Sequence, residues 1–124
     1  MSAVLWVAAG GAVGSAARYL VGVAIPVRPG SVPWGTFVAN VTGALILGFL
    51  AGYFADRLSE NARLALATGL LGGYTTFSSW ALDSVELARA GNVTAAFTNV
   101  GVSLVVGLVA AAVGLAAGLA LKPA

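Results

Sequence analysis

The chain has 124 residues, of which 60% are hydrophobic and only 8% are charged, and its mean hydropathy is +0.99. Soluble domains average about 25% charged residues, so this composition indicates a membrane protein, and a formal net charge of +2 is too small for a nucleic-acid-binding surface. Cys and His are absent, which excludes disulfides, thiolate or imidazole metal sites and Ser-His-Asp catalysis, so we expect no enzyme.

The first apolar segment, residues 3–25, is predicted to be a transmembrane helix because its length suffices to cross a bilayer. No charge precedes Arg18, so the basic region that begins a secretory signal is missing and a membrane helix is favoured. Residues 26–33 contain three prolines and a glycine, and they are predicted to form the first connection. Trp34 follows, at a position typical of an indole at the water–lipid boundary.

Three further segments are long and apolar enough to span a membrane, and they are residues 35–55, 62–90 and 93–121. The third span is predicted to break at 72–76, where two glycines and two threonines weaken a helix. Non-helical backbone at this depth is tolerated only where protein buries it or where it lines a polar cavity. We therefore expect one membrane domain over residues 1–124, an all-α bundle of four transmembrane helices with the third broken at midspan. A kink without a function is the alternative for this break.

Small residues recur at four-residue intervals in the predicted helices. The sets are Gly10 with Gly14, Ala39 with Gly43, Ala44 with Gly48 and Gly52, and Gly114 with Gly118. Such spacing lets helix backbones approach closely in lipid, so it predicts close helix packing.

Lys and Arg are evenly divided between the two predicted ends of the bundle. Arg57, Arg63 and Lys122 fall on one side, and Arg18, Arg28 and Arg89 fall on the other. The bias that orients membrane proteins is therefore missing. We expect insertion in both orientations, which permits an antiparallel two-fold dimer.

The polar and aromatic groups that could line a pathway are neutral. They are Asn40 in the second span, Phe77, Ser78, Ser79 and Trp80 in the third, and Asn99 and Ser103 in the fourth. Amide N–H groups, hydroxyls and the positive edges of aromatic rings are donors that suit a small anion. Ordinary packing is the alternative for the aromatic pair.

Three segments together resemble the CrcB/Fluc family of fluoride channels. They are GGAVGSAARY at 10–19, GTFVANVTG at 35–43 and LGGYTTFSSW at 71–80, similar to GGxxGxxxRY, GTxxxNxxG and GGxTTFSTF of the family. Their order and spacing agree, so the resemblance covers almost the whole chain. It implies passive, selective export of fluoride across the cell membrane by an antiparallel, dual-topology homodimer with two pores. The implied partners are fluoride, a second copy of the chain and the lipid bilayer.

The resemblance also implies roles for individual residues. Pore positions of the family match Asn40, Phe77, Ser78, Ser79 and Ser103, and its vestibule arginine matches Arg18. A buried structural sodium ion at the dimer centre is implied as well. Backbone carbonyls hold that ion in the family, and by motif position they match the carbonyls of Gly72 and Thr75.

Two positions depart from the family pattern. Trp80 stands where the family has its second pore phenylalanine, and Asn99 stands where a tyrosine is common. An indole still presents a polarised edge and carries an N–H donor, so we expect Trp80 to serve in the pore. Some members of the family pair two unlike chains, so a heterodimer remains an alternative, although the even charge division favours a homodimer.

Two other classes of membrane protein are alternatives. A small multidrug-resistance-type, proton-coupled exporter needs a carboxylate deep in its first helix, and the first two spans contain no Asp or Glu. A purely structural membrane subunit would have the same composition but would pass no fluoride on its own.

Overall fold

The computed structural model describes residues 2–124, which form helices joined by short connections and include no β-strand. The long helices are α1 (Ala3–Ala24), α2 (Trp34–Tyr53), α5 (Phe77–Arg89) and α6 (Val93–Leu121). Between α2 and α5 the chain passes through α3 (Glu60–Arg63), a π-helical segment (Leu64–Leu71) and α4 (Gly72–Tyr74). Helices α1, α2 and α6 are long and apolar enough to cross a membrane, which confirms the prediction of an all-α membrane protein.

Prolines and aromatic residues set the ends of the second helix. Pro33 is the N-cap residue of α2. Its fixed φ and missing N–H cost nothing there, because backbone N–H groups at the start of a helix have no carbonyl partner within the helix. The helix ends at Tyr53, before the predicted end at residue 55, because Phe54 leaves the helical conformation. The Phe54 ring then packs edge-on against Tyr53, with ring centres 4.6 Å apart.

Glycines allow the helices to pack backbone against backbone, as the four-residue spacing predicts. On α2, a Cβ at Gly52 would lie 2.6 Å from the carbonyl oxygen of Leu115 in α6. In the opposite direction, a Cβ at Gly118 would lie 2.6 Å from the carbonyl oxygen of Phe49. Both distances are shorter than real Cβ contacts, so only glycine fits at this α2–α6 interface.

Helix α1 packs in the same way against the π-helical segment. A Cβ at Gly10 would collide with the carbonyl of Ala65, and one at Gly14 would collide with the carbonyl of Leu70. In return, a Cβ at Gly69 would lie 2.6 Å from the carbonyl oxygen of Val7. The π-helical geometry was not predicted, because the apolar run Leu64–Leu71 has the composition of an ordinary α-helix.

Polar contacts tie the connections together at each end of the bundle. Lys122, after α6, forms a salt bridge with Asp56 in the connection after α2. This hydrogen bond, together with the Lys122 charge, holds the pKa of Asp56 below its usual value. In the first connection, the carbonyl of Gly30 accepts a hydrogen bond from the amide of Asn92, which precedes α6. The first and third connections therefore lie together, as do the second connection and the C-terminus.

Candidate functional site

The candidate site is built around the break between α4 and α5. Thr75 (φ −90°, ψ 155°) and Thr76 (φ −147°, ψ 115°) are extended, and α5 begins at Phe77. The Thr76 hydroxyl accepts a hydrogen bond of 3.1 Å from the backbone N–H of Ser79, so Thr76 caps the new helix. The break is shorter than the predicted range 72–76, because Gly72 and Gly73 remain helical.

Gly73 has a packing role and does not break the helix. A Cβ there would lie 2.7 Å from the carbonyl oxygen of Gly11 in α1. The interruption comes instead from the two threonines. Both the backbone N–H of Thr75 (3.0 Å) and its hydroxyl (2.9 Å) donate to the carbonyl of Leu71, which completes the last helical turn.

Asn40 of α2 holds the extended backbone in place. Its side-chain amide donates to the Thr76 carbonyl over 3.0 Å, and its side-chain oxygen accepts from the Thr76 N–H over 2.7 Å. One asparagine therefore satisfies both backbone groups of a residue that has left the helix. The sequence predicted Asn40 as a pore donor, and the structure gives its amide this additional partner.

Arg18 of α1 binds α4, the last helical turn before the break. Its Nε donates to the carbonyl of Gly73 over 3.1 Å, where a cation also interacts favourably with the helix dipole. Arg18 lines a separate cavity of about 500 Å³ together with Ser15, Tyr19 and Thr36. The structure thus places Arg18 beside the break but outside the cavity that six of the other predicted residues share.

Six of the predicted site residues line one cavity of about 380 Å³. They are Asn40, Gly72, Thr75, Phe77, Trp80 and Ser103. Phe77 is 76% exposed, and its ring centre lies 5.3 Å from that of Trp80 with the planes tilted by 51°. No charged residue lines this cavity. It therefore combines apolar walls with neutral hydrogen-bonding groups.

Ser78 and Ser79 do not line this cavity. Ser78 is exposed, with its hydroxyl 3.4 Å from that of Thr76, and the backbone of Ser79 is engaged by the Thr76 cap. The cavity instead includes Thr76, which the sequence analysis assigned only to the break. A threonine directly before the first residue of a helix is a favoured N-cap, and that signal was available in the sequence.

Asn99 lies away from the cavity, although the sequence suggested it as a group that could line the pathway together with Ser103. It is only 1% exposed, and its amide donates to the hydroxyl of Ser84 over 2.9 Å. The carbonyl of Asn99 accepts the indole N–H of Trp80 over 3.0 Å. The Trp80 N–H is therefore already paired within the protein, and only the ring of Trp80 faces the cavity.

The Ser103 hydroxyl is the one buried oxygen of a side chain without a hydrogen-bond partner among residues 2–124. Among residues 2–124, no hydrogen bond from outside the helices reaches the backbone carbonyl of Gly72 or that of Thr75 either. The same described residues hold no cluster of His, Cys, Asp or Glu that could bind a metal. The residues that line the cavity thus include a serine whose buried hydroxyl is unpaired and two whose backbone carbonyls receive no hydrogen bond from outside the helices.

Comparison with known proteins matches nearly the whole chain. A family described as "CrcB-like protein, Camphor Resistance (CrcB)" matches residues 5–115. A protein of Symbiobacterium thermophilum named fluoride-specific ion channel FluC 1 is 47% identical over 119 residues, covering 91% of this chain and 96% of its own. One of Rhizobium meliloti named fluoride-specific ion channel FluC is 42% identical, covering 94% and 95%. A third, from Hyphomonas neptunium and with the same name, is 44% identical, covering 93% and 94%.

Proposed function

Because the chain belongs to the CrcB-like family, we propose that it is a fluoride-selective ion channel through which fluoride leaves the cell passively. It is a multi-pass protein of the cell membrane and not an enzyme. The observation that carries the proposal is the match to fluoride-specific channels over nearly the full length of both chains. The residues of the uncharged cavity at the helix break supply a chemistry that agrees with it.

The cavity suits a small, strongly hydrated anion that must exchange water for protein donors. The Ser103 hydroxyl is free to donate, and the Asn40 amide has a second N–H beyond the one bound to Thr76. Phe77 presents a large exposed ring whose edge carries partial positive charge. Neutral donors of this kind can bind an anion without holding it as tightly as a fixed positive charge would, and conduction requires such release.

We propose that residues 60–89, which are broken at Thr75 and Thr76, also cross the membrane and form the third of four spans along the chain. We further propose that two chains assemble as an antiparallel homodimer with two pores. Gly72 and Phe77 are exposed in a single chain, beside carbonyls that receive no hydrogen bond from outside the helices. Such a surface cannot face lipid at mid-membrane depth, because lipid offers no hydrogen-bond donor. A second copy would cover it.

Insertion in both orientations is the expected result of the even division of Lys and Arg. Reporter fusions at Ala124 should be active on both sides of the membrane in comparable amounts. Adding one cation beside the C-terminus, as in Pro123→Lys, should shift the population toward one side because short flanking segments orient the chain by their Lys and Arg content. A parent fusion found on one side alone would contradict the homodimer.

A structural sodium ion at the dimer centre is part of the proposal. The carbonyls of Gly72 and Thr75 fit a hard cation that prefers oxygen ligands, since both line the cavity and neither receives a hydrogen bond from outside the helices. The neighbouring carbonyls of Gly73 and Thr76 are already bound by Arg18 and Asn40. When bound, the ion would neutralise the partial negative charge of these oxygens.

Replacing sodium by N-methylglucamine on both sides of the membrane should therefore weaken the dimer and reduce fluoride flux. Dimer content is measured by crosslinking, and flux is measured in the same preparation. Restoring sodium should reverse both losses, which separates ion removal from irreversible unfolding. Undiminished dimer content and fluoride flux after thorough sodium exchange would contradict the proposed sodium site.

The proposed function is tested by fluoride efflux from liposomes that contain only this purified protein. We expect rapid electrogenic fluoride efflux and no comparable chloride efflux. Absence of flux would leave the protein as a structural subunit or as half of a heterodimer. Flux that depends on a proton gradient and carries organic cations would indicate a multidrug exporter instead.

A further inference from the structure

Trp80 and Ser103 both line the cavity, and the Trp80 indole donates to the carbonyl of Asn99, which lies one helical turn before Ser103 in α6. We infer that Trp80 is a positioning residue whose N–H keeps the Ser103 hydroxyl free to donate to the transported anion. This inference rests on the proposed fluoride conduction and goes beyond it, since it gives Trp80 and Asn99 a joint role.

The carbonyl of Asn99 already has two donors. It accepts the Trp80 indole N–H over 3.0 Å. It also lies inside α6, where each carbonyl accepts the backbone N–H four residues later, which here belongs to Ser103. A carbonyl oxygen has two lone pairs, so both are occupied.

A serine or threonine inside a helix commonly donates its hydroxyl to the carbonyl four residues earlier. Among the described residues, four hydroxyls make that hydrogen bond, with oxygen–oxygen distances of 2.6–2.9 Å, and they belong to Thr42, Thr75, Ser84 and Thr98. Ser103 has the same helical setting, yet its hydroxyl is buried without a partner. The carbonyl that it would use is that of Asn99, which Trp80 occupies.

The surrounding contacts hold this arrangement in place. Asn99 is fully enclosed, and its amide donates to the Ser84 hydroxyl over 2.9 Å. The Ser84 hydroxyl in turn donates to the carbonyl of Trp80 over 2.8 Å. The Asn99 carbonyl, the indole and the neighbouring helix turn are therefore linked by hydrogen bonds from both sides. The Ser103 hydroxyl is the group of this cluster that remains unpaired among the described residues.

The functional test compares four proteins in liposomes: the parent, Trp80→Phe, Ser103→Ala and the double variant. Trp80→Phe keeps an aromatic edge but removes the N–H, so the Ser103 hydroxyl should turn to the Asn99 carbonyl. Each single change should raise the fluoride concentration for half-maximal flux by about tenfold, the effect of losing one hydrogen bond to a charged group. The double variant should be no worse than either single one. Trp34→Phe, remote from the cavity, is the matched control and should behave as the parent does.

Other results would contradict the inference. If the effects of the two substitutions on the half-maximal fluoride concentration multiply in the double variant, Trp80 acts by packing and the inference fails. The same conclusion follows if Trp80→Phe lowers only the maximal flux. A crystal structure of Trp80→Phe supplies a second readout that does not depend on conduction. The Ser103 Oγ should lie within about 3.2 Å of the Asn99 oxygen there, and a hydroxyl still unpartnered overturns the inference. If the parent protein passes no fluoride, the proposed function is refuted. The distance from Ser103 Oγ to the Asn99 oxygen in Trp80→Phe still shows whether the hydroxyl takes the place of the indole N–H.

Discussion

Asn40→Ala should abolish fluoride flux, with a reduction of roughly a hundredfold or more. The change removes the side chain that pairs both the N–H and the carbonyl of Thr76. Each unpaired backbone group costs about 1–3 kcal/mol when water cannot reach it, so the extended backbone loses roughly 2–6 kcal/mol of stabilisation. The same change removes a donor from the cavity. Flux is measured by fluoride efflux from liposomes, and the dimer fraction is measured in parallel.

Two variants separate these contributions. Asn61→Ala removes an exposed amide at the start of the third span and should leave both flux and dimer content unchanged. Asn40→Asp keeps the acceptor for the Thr76 N–H and loses the donor to its carbonyl. It should assemble better than Asn40→Ala while still failing to conduct, because a carboxylate repels an anion. Normal flux in Asn40→Ala would show that neither the break nor the pathway needs this side chain.

Gly14→Ala should be the most damaging single-methyl change in α1. A Cβ at Gly14 would collide with the carbonyl of Leu70 and would lie 2.9 Å from the backbone N of Tyr74. Neither backbone atom can move aside as a flexible side chain would, so α1 must shift away from the third span. That shift separates Arg18 from the carbonyl of Gly73 and leaves the end of the half-helix uncapped. We expect poor dimer yield and flux reduced at least tenfold.

Gly22→Ala is the matched control for this prediction. It adds the same methyl group to the same helix, at a position where no atom lies within 4 Å of the added Cβ. It should assemble and conduct as the parent does, with a slightly more stable helix because alanine is the better helix former. Equal loss in both variants would point to helix propensity, and no loss in Gly14→Ala would mean that the two helices separate easily.

The sequence predicted the features that depend on composition and spacing. The apolar segments, the proline-rich connection and the close glycine contacts follow from local chemistry, and Gly52 and Gly118 lie against backbone as their spacing predicts. The predicted break overlaps an interruption of the helical chain at Thr75 and Thr76. Its extent was overestimated, because glycine weakens a helix equally whether it serves as a breaker or as a packing site. Gly73 serves the second purpose, which only its position opposite Gly11 reveals.

The sequence could not predict contacts that depend on the rotation of one helix relative to another. Asn99 and Ser103 are four residues apart, and both were named as groups that could line the pathway. A difference of 40° separates such positions on an α-helix, and this is enough to bury Asn99 against Ser84 while Ser103 faces the cavity. The donation of the Trp80 N–H to Asn99 follows from the same rotation. The attachment of Arg18 to Gly73 likewise needed the relative positions of two spans.

The π-helical segment Leu64–Leu71 fixes the length of the chain between the second connection and the break. A π-helical turn holds an additional residue, so it is the structural equivalent of a one-residue insertion in an α-helix. Deleting one residue here would therefore let the segment relax to a regular α-helix while the chain after it keeps nearly its present orientation. Gly73 would stay against α1, and the extended threonines would stay beside Asn40. One-residue gaps among relatives should therefore be tolerated within these eight residues.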